Sequence, residues 1–182
     1  MTRRDTKSGI LDAAGRIVLE RGAMGLTLEA VAAEAGLSKG GLLYHYGSKE
    51  QLLTAMIGRL IEVTEQRIED HRARDSGHGS WARGYLDACA SDGLPETDPT
   101  GRLGIALLAA GAADPELLAD LRSRQATWRE RLHDDGISPA RALTVRLAAD
   151  GLWLNDIFDL RVLEPEDRAA VLRELEALTR GE

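Results

Sequence analysis

Aromatic residues, lysine and cysteine are scarce in this chain of 182 residues. Only 4% of the residues are aromatic, and lysine occurs three times, always within the first 49 residues. The single cysteine, Cys89, excludes an intrachain disulfide. Neither an N-terminal apolar segment nor a run of 18 apolar residues occurs, so we expect no signal peptide, no membrane span and a cytoplasmic location. We also expect no metal site and no cofactor, because no cysteines and histidines have ligand spacing.

Charge is divided unevenly along the chain. The net charge of −7 argues, taken alone, against nucleic acid as a partner. Residues 1–49 nevertheless carry seven basic and five acidic side chains, whereas the remainder carries 16 basic and 25 acidic ones. This asymmetry is typical of a DNA-facing segment attached to an acidic body.

The segment from Thr27 to Lys49 has the pattern of two short helices joined by a tight turn and followed by a longer helix. Thr27 and Ser38 are favourable N-caps, and Gly36 lies where the first helix needs a left-handed residue. Such a pair forms a helix-turn-helix, whose second helix can lie in the major groove of DNA. Leu42 and Tyr46 are expected to face inward. The exposed residues of the second helix are neutral or basic, namely Ser38, Lys39, Gly41, Tyr44 and His45.

Lys39 and Lys49 lie at the start and just beyond the end of this second helix, where both can bind phosphates beside the groove. The alternative is that both are ordinary solvated lysines, and that Tyr44 packs partly on the local core. Residues 1–5 form either a short basic arm that touches DNA or, more simply, a frayed terminus.

The run SKGGLLYHYGSKEQLL resembles the TetR family of bacterial one-component repressors, which typically show S-K-G-x-L-Y-H-(F/Y)-x-S-K-E-x-L here. The resemblance extends from about Thr6 to Leu53. It implies a C-terminal helical domain that binds a small molecule and pairs with a second copy through its last two helices. It also implies that seven residues contact DNA: Thr27, Ser38, Lys39, Gly41, Tyr44, His45 and Lys49.

The remaining sequence has helical periodicity and no β pattern, so we predict an all-α fold of about nine helices. A three-helix, helix-turn-helix DNA-binding domain is expected over residues 1–49, and a helical effector-binding and dimerisation domain over 50–182. A helix over about 48–72, with a capping box at Ser48 and Gln51, links the two. Other helices are expected at about 7–21, 81–91, 102–112, 115–133, 139–159 and 165–180.

The helix over 139–159 has an apolar face that an acid interrupts, formed by Leu143, Leu147, Asp150, Leu154 and Ile157. Burying an unpaired carboxylate costs on the order of several kcal/mol, so the acid must pair, face water or line a cavity. Apolar walls with a few polar groups are typical of a small-molecule site. The predicted ligand contacts are Trp81, Tyr85, Trp128, Asp150, Trp153 and Asp156. The alternative is that the aromatic residues fill the core while the acids pair with Arg146 or Arg141.

Apolar residues in the last two helices also suit dimerisation, because they exceed what one chain's core plainly needs. These residues are Leu152, Val171, Leu172, Leu175 and Leu178. The whole pattern predicts a sequence-specific transcriptional regulator, most simply a repressor. It is expected to bind a palindromic double-stranded operator as a homodimer, and a small-molecule effector is expected to release it.

Two other functions are considered. An all-α enzyme would pair Cys89 with His71, His78 or His133. No nucleophile motif surrounds Cys89, so we predict no catalytic residues. An architectural DNA-binding protein would lack an effector and ignore the operator sequence.

Overall fold

The computed structural model describes residues 3–90, 99–160 and 162–180. These residues form nine α-helices, two short 3-10 helices and no β-strand, which confirms the all-α prediction. The α-helices are α1 (Arg3–Arg21), α2 (Leu28–Glu34), α3 (Lys39–His45), α4 (Lys49–Arg72), α5 (Ser80–Ala90), α6 (Pro99–Ala113), α7 (Ala119–His133), α8 (Pro139–Ile157) and α9 (Pro165–Arg180). The 3-10 helices are Ala23–Gly25 and Pro115–Leu118.

The helices pack into two units, neither of which is continuous in sequence. The N-terminal unit comprises Met1–Ile61 and Asp98–Arg122, and the C-terminal unit comprises Glu62–Thr97 and Ser123–Glu182. Helix α6 therefore belongs to the N-terminal unit although it follows α5 in the chain. The functional boundary predicted between residues 49 and 50 stays a prediction.

The core of the N-terminal unit is built on the apolar stripe of α1. Ile10, Ala14 and Ile17 are buried at the predicted helical spacing. The helix begins at Arg3 rather than at Lys7, because no glycine or proline precedes Lys7 to stop it. Residues 3–5 of the predicted basic arm are therefore helical, while residues 1 and 2 lie outside the described part of the chain.

The turn between α2 and α3 has the geometry that the sequence predicts. Gly36 has a φ of +67°, in the left-handed region that side chains with a Cβ rarely adopt. The Leu37 amide donates to the Ala32 carbonyl at 2.8 Å, and the Gly36 amide donates to the Ala33 carbonyl at 3.2 Å. These two bonds form a Schellman motif, which ends α2 and directs the chain into α3. Leu42 is fully buried beneath the turn.

Helix α4 begins with the predicted capping interaction, in a slightly different form. The Ser48 hydroxyl accepts a hydrogen bond from the Gln51 amide at 3.2 Å. The Gln51 side chain accepts from the amide of Gly47 at 2.8 Å, whereas a standard capping box uses the amide of the cap residue itself. The helix then continues to Arg72, as predicted.

Helix α8 of the C-terminal unit buries a face of small residues and not the leucine face noted in the sequence. Its buried residues include Ala142, Val145 and Ala149, whereas Leu147 is 70% and Leu154 is 42% exposed. The physical reason is the close packing of α8 on α5, since small side chains allow two helix backbones to approach. The leucine face seen in the sequence is therefore largely exposed, and the core contains the small residues instead.

Three other boundaries differ from the sequence predictions. Asp114 and Pro115 start a 3-10 helix, with the Asp114 carboxylate accepting from the Glu116 amide at 3.2 Å, and α7 begins separately at Ala119. Helix α6 begins at Pro99, three residues before the predicted start at residue 102. Helix α8 ends at Ile157, two residues before the predicted end at Asp159.

Charged side chains form hydrogen bonds between the beginning of α5 and other parts of the C-terminal unit. The Asp135 carboxylate, just beyond α7, accepts hydrogen bonds from the amides of Trp81 and Ala82 at 2.9 and 2.8 Å. Arg83 is only 5% exposed and donates to Asp75 at 2.7 Å and to the Thr179 hydroxyl at 3.1 Å. The sequence signals for these long-range bonds are weak, because aspartate is equally common in ordinary turns.

No helix in the described ranges is both long and apolar enough to cross a membrane. Those ranges also hold no group of three or more histidine, cysteine, aspartate or glutamate side chains arranged to bind a metal.

Candidate functional site

Two hydroxyl side chains cap the paired helices of the predicted DNA-binding segment. The Thr27 hydroxyl accepts from the Ala30 amide at 3.1 Å, and the Ser38 hydroxyl accepts from the Gly41 amide at 3.0 Å. A Cβ at Gly41 would lie 3.3 Å from the Ser38 hydroxyl oxygen, so glycine keeps this first turn uncrowded. Each hydroxyl retains its own proton, which can be donated to a phosphate oxygen.

Lys39, at the start of α3, is ion-paired within the N-terminal unit. Its ammonium lies 2.5 Å from the carboxylate of Glu29 on α2, and both side chains are more than half exposed. The hydrogen bond from Lys39 lowers the pKa of Glu29. Sequence reasoning missed Glu29 because it considered only the residues of the second helix. Any phosphate that binds Lys39 must compete with this carboxylate.

Lys49, at the start of α4, donates from its ammonium to the carbonyl of Met24 at 3.3 Å. That carbonyl belongs to the short 3-10 helix that precedes α2. The Lys49 side chain is therefore not simply solvated, since one of its donors is already used within the N-terminal unit. An ammonium has three donors, so one bond to Met24 leaves others for a phosphate.

Tyr44 and His45 lie at the end of α3 and differ in exposure. Tyr44 is 70% exposed, so most of its surface lies outside the local core. The His45 ring meets the Tyr44 ring edge-on, with 5.1 Å between their centroids. The Nδ1 atom of His45 is buried without a hydrogen-bond partner among the described residues. Tyr44 is therefore the more accessible of the two.

Three aromatic residues form a cluster inside the C-terminal unit. The rings of Trp81 and Tyr85 are stacked with centroids 5.6 Å apart, and Trp128 approaches them at 6.4 and 5.7 Å. Each residue is less than 5% exposed. Sequence reasoning placed these three residues together, and their positions on α5 and α7 bring the rings into contact. We call Trp81, Tyr85 and Trp128 the aromatic cluster.

A buried arginine lies against the aromatic cluster. The guanidinium of Arg146, on α8, is 5.2 Å from the centroid of the Tyr85 ring and 5.5 Å from that of Trp128. It also donates a hydrogen bond to the side-chain oxygen of Gln125. Contacts of a cation with ring faces are favourable, and more so when the cation is desolvated. Sequence reasoning treated Arg146 only as a partner for acids.

The polar ends of two clustered rings are held by carboxylates. The Tyr85 hydroxyl donates to Asp150 at 2.6 Å, and the indole nitrogen of Trp128 donates to Glu65 on α4 at 2.9 Å. Burial raises the pKa of Tyr85, and the neighbouring Asp150 adds to that effect. Asp150 lies 4.0 Å from the nearer guanidinium nitrogen of Arg146, which is too far for a hydrogen bond. The predicted pairing of Asp150 with Arg146 is therefore loose, and Tyr85 is the hydrogen-bond partner.

The two other predicted ligand residues share no ring contact or hydrogen bond with the aromatic cluster in the described part of the chain. Trp153 is half-buried on α8, and among the described residues no ring contact involves it. Asp156 accepts a hydrogen bond from Arg168 of α9 at 2.8 Å. Burial raises the pKa of Asp156, while Arg168 opposes that rise. Asp156 is thus paired, but with an arginine other than the two that the sequence suggested.

A separate recess of about 440 Å³ lies between the end of α4, α5 and α9. Its walls include His71, Asp87, Arg173, Leu86 and Leu172, and none of the six predicted ligand residues lines it. The walls carry charges of both signs, and sequence reasoning gave no indication of this recess.

Cys89 lies in surroundings that disfavour its use as a nucleophile. Burial, with a smaller contribution from the carboxylate of Asp150, raises the pKa of its thiol to about 12. A thiol with so high a pKa stays protonated near neutral pH and is a weak nucleophile. His71 instead faces carboxylates, with its Nδ1 atom 3.4 Å from Asp87, while the His78 ring lies against Gly136. These surroundings weaken the enzyme alternative.

The outer face of α8 carries exposed apolar residues at intervals of three and four. Leu147, Leu154 and Phe158 are 70%, 42% and 53% exposed, and Gly151 lies between the first two. Intervals of this kind place side chains on one helix face. Leu152 and Leu175, predicted as surplus surface, are instead 5% and 6% exposed and belong to the core of the C-terminal unit. We call Leu147, Gly151, Leu154 and Phe158 the α8 stripe.

Two segments of the chain match known protein families. Residues 10–56 match the family model of the bacterial regulatory proteins of the tetR family. Residues 79–180 match the model of the tetracyclin repressor-like C-terminal domain.

Curated relatives of the chain are transcriptional regulators. It is 30% identical over 122 residues to the HTH-type transcriptional regulator TtgR of Pseudomonas putida, a match that covers 67% of this chain and 47% of that protein. It is 37% identical over 71 residues to the regulator LmrA of Bacillus subtilis, with 38% of each chain covered. The matched part thus spans about half the length of these relatives, or less.

Solved structures share the whole fold. A transcriptional regulator from a Rhodococcus species has a TM-score of 0.73 at 22% identity over 96% of each chain. The multidrug binding protein EbrR, solved with ethidium, has a TM-score of 0.67 at 25% identity over 96% of this chain and 99% of its own. The motif around α3, the nine described helices and the two family matches lead to one conclusion: the chain belongs to the TetR family of bacterial transcriptional regulators.

Proposed function

We propose that this protein is a cytoplasmic, DNA-binding repressor that a small organic effector releases from its operator. The observation that carries the proposal is α3, a short helix capped by Ser38 and bounded by Lys39 and Lys49. Thr27, Gly41, Tyr44 and His45 complete the proposed contact surface. An architectural protein would use such a surface too, but it would bind without regard to sequence.

In this proposal, the lysines and the capping hydroxyls bind phosphates, while the exposed end of α3 reaches base edges. Ammonium groups bind phosphates without reading sequence, so Lys39 and Lys49 contribute affinity and register. Tyr44 projects from the last turn of α3 with 70% of its surface accessible. It is therefore the best-placed side chain on α3 for contacts inside the groove.

The test begins by selecting bound sequences from a random DNA pool and measuring affinity over a range of salt concentrations. Lys39→Ala should weaken binding to all sequences and lower the salt slope by about 1, because one phosphate contact is lost. Arg129→Ala, which removes an exposed basic side chain of α7, is the matched control and should leave both values unchanged. Equal effects of the two substitutions would contradict docking through α3.

A homodimer follows from the same proposal, because a palindromic operator requires two copies of the reading helix. The α8 stripe is the surface that supports this pairing, since it is apolar, exposed and regularly spaced. Leu172, which is half-buried on α9, stays part of the proposed dimer surface. Leu175 is not suitable, since a charge at this buried position would unfold the protein instead of separating two copies.

A charged substitution in the α8 stripe should separate the two copies. Leu147→Glu should give a monomer in sedimentation velocity, because it places a charge in an apolar interface. Leu108→Glu changes a partly exposed leucine of α6 and should leave the dimer intact. A stable dimer in the Leu147→Glu variant would move the interface away from α8.

The proposed effector site is built around the aromatic cluster, with Asp150 at its polar edge. The three rings provide apolar walls, and Tyr85, Asp150 and Glu65 provide a few polar groups, a combination typical of small-molecule sites. EbrR, a relative of the same fold, was solved with ethidium, a cationic dye. Trp153 and Asp156 stay proposed as outer contacts, because neither makes a ring contact or a hydrogen bond with the cluster among the described residues. Effector binding should quench the fluorescence of Trp81 and Trp128.

A further inference from the structure

The buried guanidinium of Arg146 is held in an unusual way for a charged group. It donates a hydrogen bond to a neutral acceptor, the side-chain oxygen of Gln125. Its Nε atom is buried and has no hydrogen-bond partner among the described residues. The carboxylate of Asp150 stays 4.0 Å away. Within the described ranges, the guanidinium therefore lies against the faces of two rings, with a neutral hydrogen-bond acceptor and no carboxylate at hydrogen-bond distance.

The two ring faces are fixed independently of the arginine. Tyr85 is anchored through its hydroxyl to Asp150 at 2.6 Å, and Trp128 through its indole nitrogen to Glu65 at 2.9 Å. Both residues are 4% exposed. Removal of the guanidinium would thus leave two oriented, electron-rich faces, which attract a cation.

Arg146 also has another position within reach. Asp150 lies one helical turn further along α8, and its side chain is 42% exposed. A shift of the guanidinium toward this carboxylate would turn the loose 4.0 Å contact into a hydrogen-bonded ion pair nearer to solvent. Arginine side chains are long and flexible, so this shift needs no movement of the helix backbone.

These features together lead us to propose that Arg146 is a built-in stand-in for a cationic effector. A compact organic cation with an aromatic or alkylated nitrogen displaces the guanidinium from Tyr85 and Trp128, and Arg146 moves to Asp150. This inference rests on the proposed function and specifies the chemical class of its ligand. The exchange conserves charge at the rings. A neutral molecule of the same shape gains less from the ring faces, and an anion is repelled by Asp150 and Glu65.

The exchange predicts that the arginine weakens effector binding by competing for the rings. The probe is phenyltrimethylammonium, and its neutral isostere tert-butylbenzene is the matched control ligand. Binding is followed through tryptophan fluorescence, without DNA, in the wild-type protein and in Arg146→Met. The substitution removes the competing charge but keeps an unbranched apolar chain. It should tighten binding of the cation about tenfold and change binding of the neutral isostere much less.

Two further variants separate competition from general effects. Arg146→Lys keeps a cation on a similar stem and should bind the probe within about threefold of wild type. Gln125→Met removes the neutral acceptor that holds Arg146, and it should tighten cation binding in the same direction by a smaller factor. Gln125→Met also tests the exchange if Arg146→Met fails to show a wild-type circular dichroism spectrum.

Cation binding that is unchanged or weaker in both Arg146→Met and Gln125→Met would overturn the exchange. An equal gain for tert-butylbenzene would also overturn it, because it would show that only space was created. Operator binding of the wild-type protein is measured separately. If the protein binds operator but the variants do not bind the cation more tightly, the exchange is wrong and the regulatory function stands. If the variants bind the cation more tightly but the protein binds no operator, the regulatory function is wrong and the exchange stands.

Discussion

The two units of this protein use charged side chains in opposite ways. In the N-terminal unit, Lys39 pairs with Glu29 at 2.5 Å, and both side chains are about 60% exposed. In the C-terminal unit, the side chains of Arg83 and Arg146 are only 5% and 10% exposed. Exposed pairs contribute little to stability, whereas removal of one partner of a buried pair is costly. Charges of the N-terminal unit are therefore free to change partners, and those of the C-terminal unit help to define its interior.

The largest effect expected from this contrast is at Asp75. Asp75→Ala leaves the guanidinium of Arg83, which is 5% exposed, without its carboxylate. We expect the free energy of unfolding to fall by about 2 kcal/mol, less than for a fully buried pair, because the Asp75 side chain is 30% exposed and Arg83 keeps its bonds to His78 and Thr179. Urea unfolding at a fixed protein concentration measures this change.

The control substitution for Asp75→Ala is made in the N-terminal unit, and the acid dependence of stability provides a second test. Glu34→Ala breaks the exposed pair with Arg16 and should cost at most about 1 kcal/mol. The hydrogen bond from Arg83 lowers the pKa of Asp75 from 3.8 to about 2. The ionised Asp75 carboxylate therefore contributes its full stabilisation above pH 4, and this contribution is lost as the pH falls toward 2. The contrast between the two units would be contradicted if both variants lost the same free energy of unfolding. It would also be contradicted if the stability of Asp75→Ala fell between pH 4 and 2 as much as that of the wild-type protein.

A smaller effect of opposite sign is expected at Glu29. Glu29→Gln frees Lys39 from its competing carboxylate, so the affinity for DNA should rise by about two- to fivefold. Glu20→Gln, an equal change of charge on α1, is the matched control and should give a smaller gain. Fluorescence anisotropy with a labelled operator measures both. Equal gains would mean that only the net charge of the N-terminal unit matters.

The sequence predicted the elements of the N-terminal unit well because their signals are local. Thr27 and Ser38 cap helices through residues three positions away, and the φ of +67° at Gly36 follows from a turn of only a few residues. In each case the partner lies within a single turn of the chain. Local capping rules need no knowledge of the tertiary fold.

The C-terminal unit was harder to predict because its decisive contacts join distant residues. Trp128 donates to Glu65, 63 positions earlier, and Arg83 donates to Thr179, 96 positions later. The buried face of α8 was not predicted for a related reason, since its small residues give a weaker hydrophobic signal than the leucines. Close packing on α5 selected Ala142 and Ala149 instead. The aromatic residues were grouped correctly, but the position of Arg146 among them required the structure.

The discontinuity of the N-terminal unit has a consequence for synthesis and for engineering. Helices α1 and α6 pack closely at Gly15, where an added Cβ would lie 3.7 Å from the Leu103 side chain of α6. Leu107, on the same helix α6, is 1% exposed. A ribosome releases α1 to α4 long before it has made α6, so the core around α1 is completed late. A fragment ending at residue 61 would leave that part of α1 uncovered. A chimaera that joins the N-terminal unit to the sensor domain of another protein must therefore include residues 98–122.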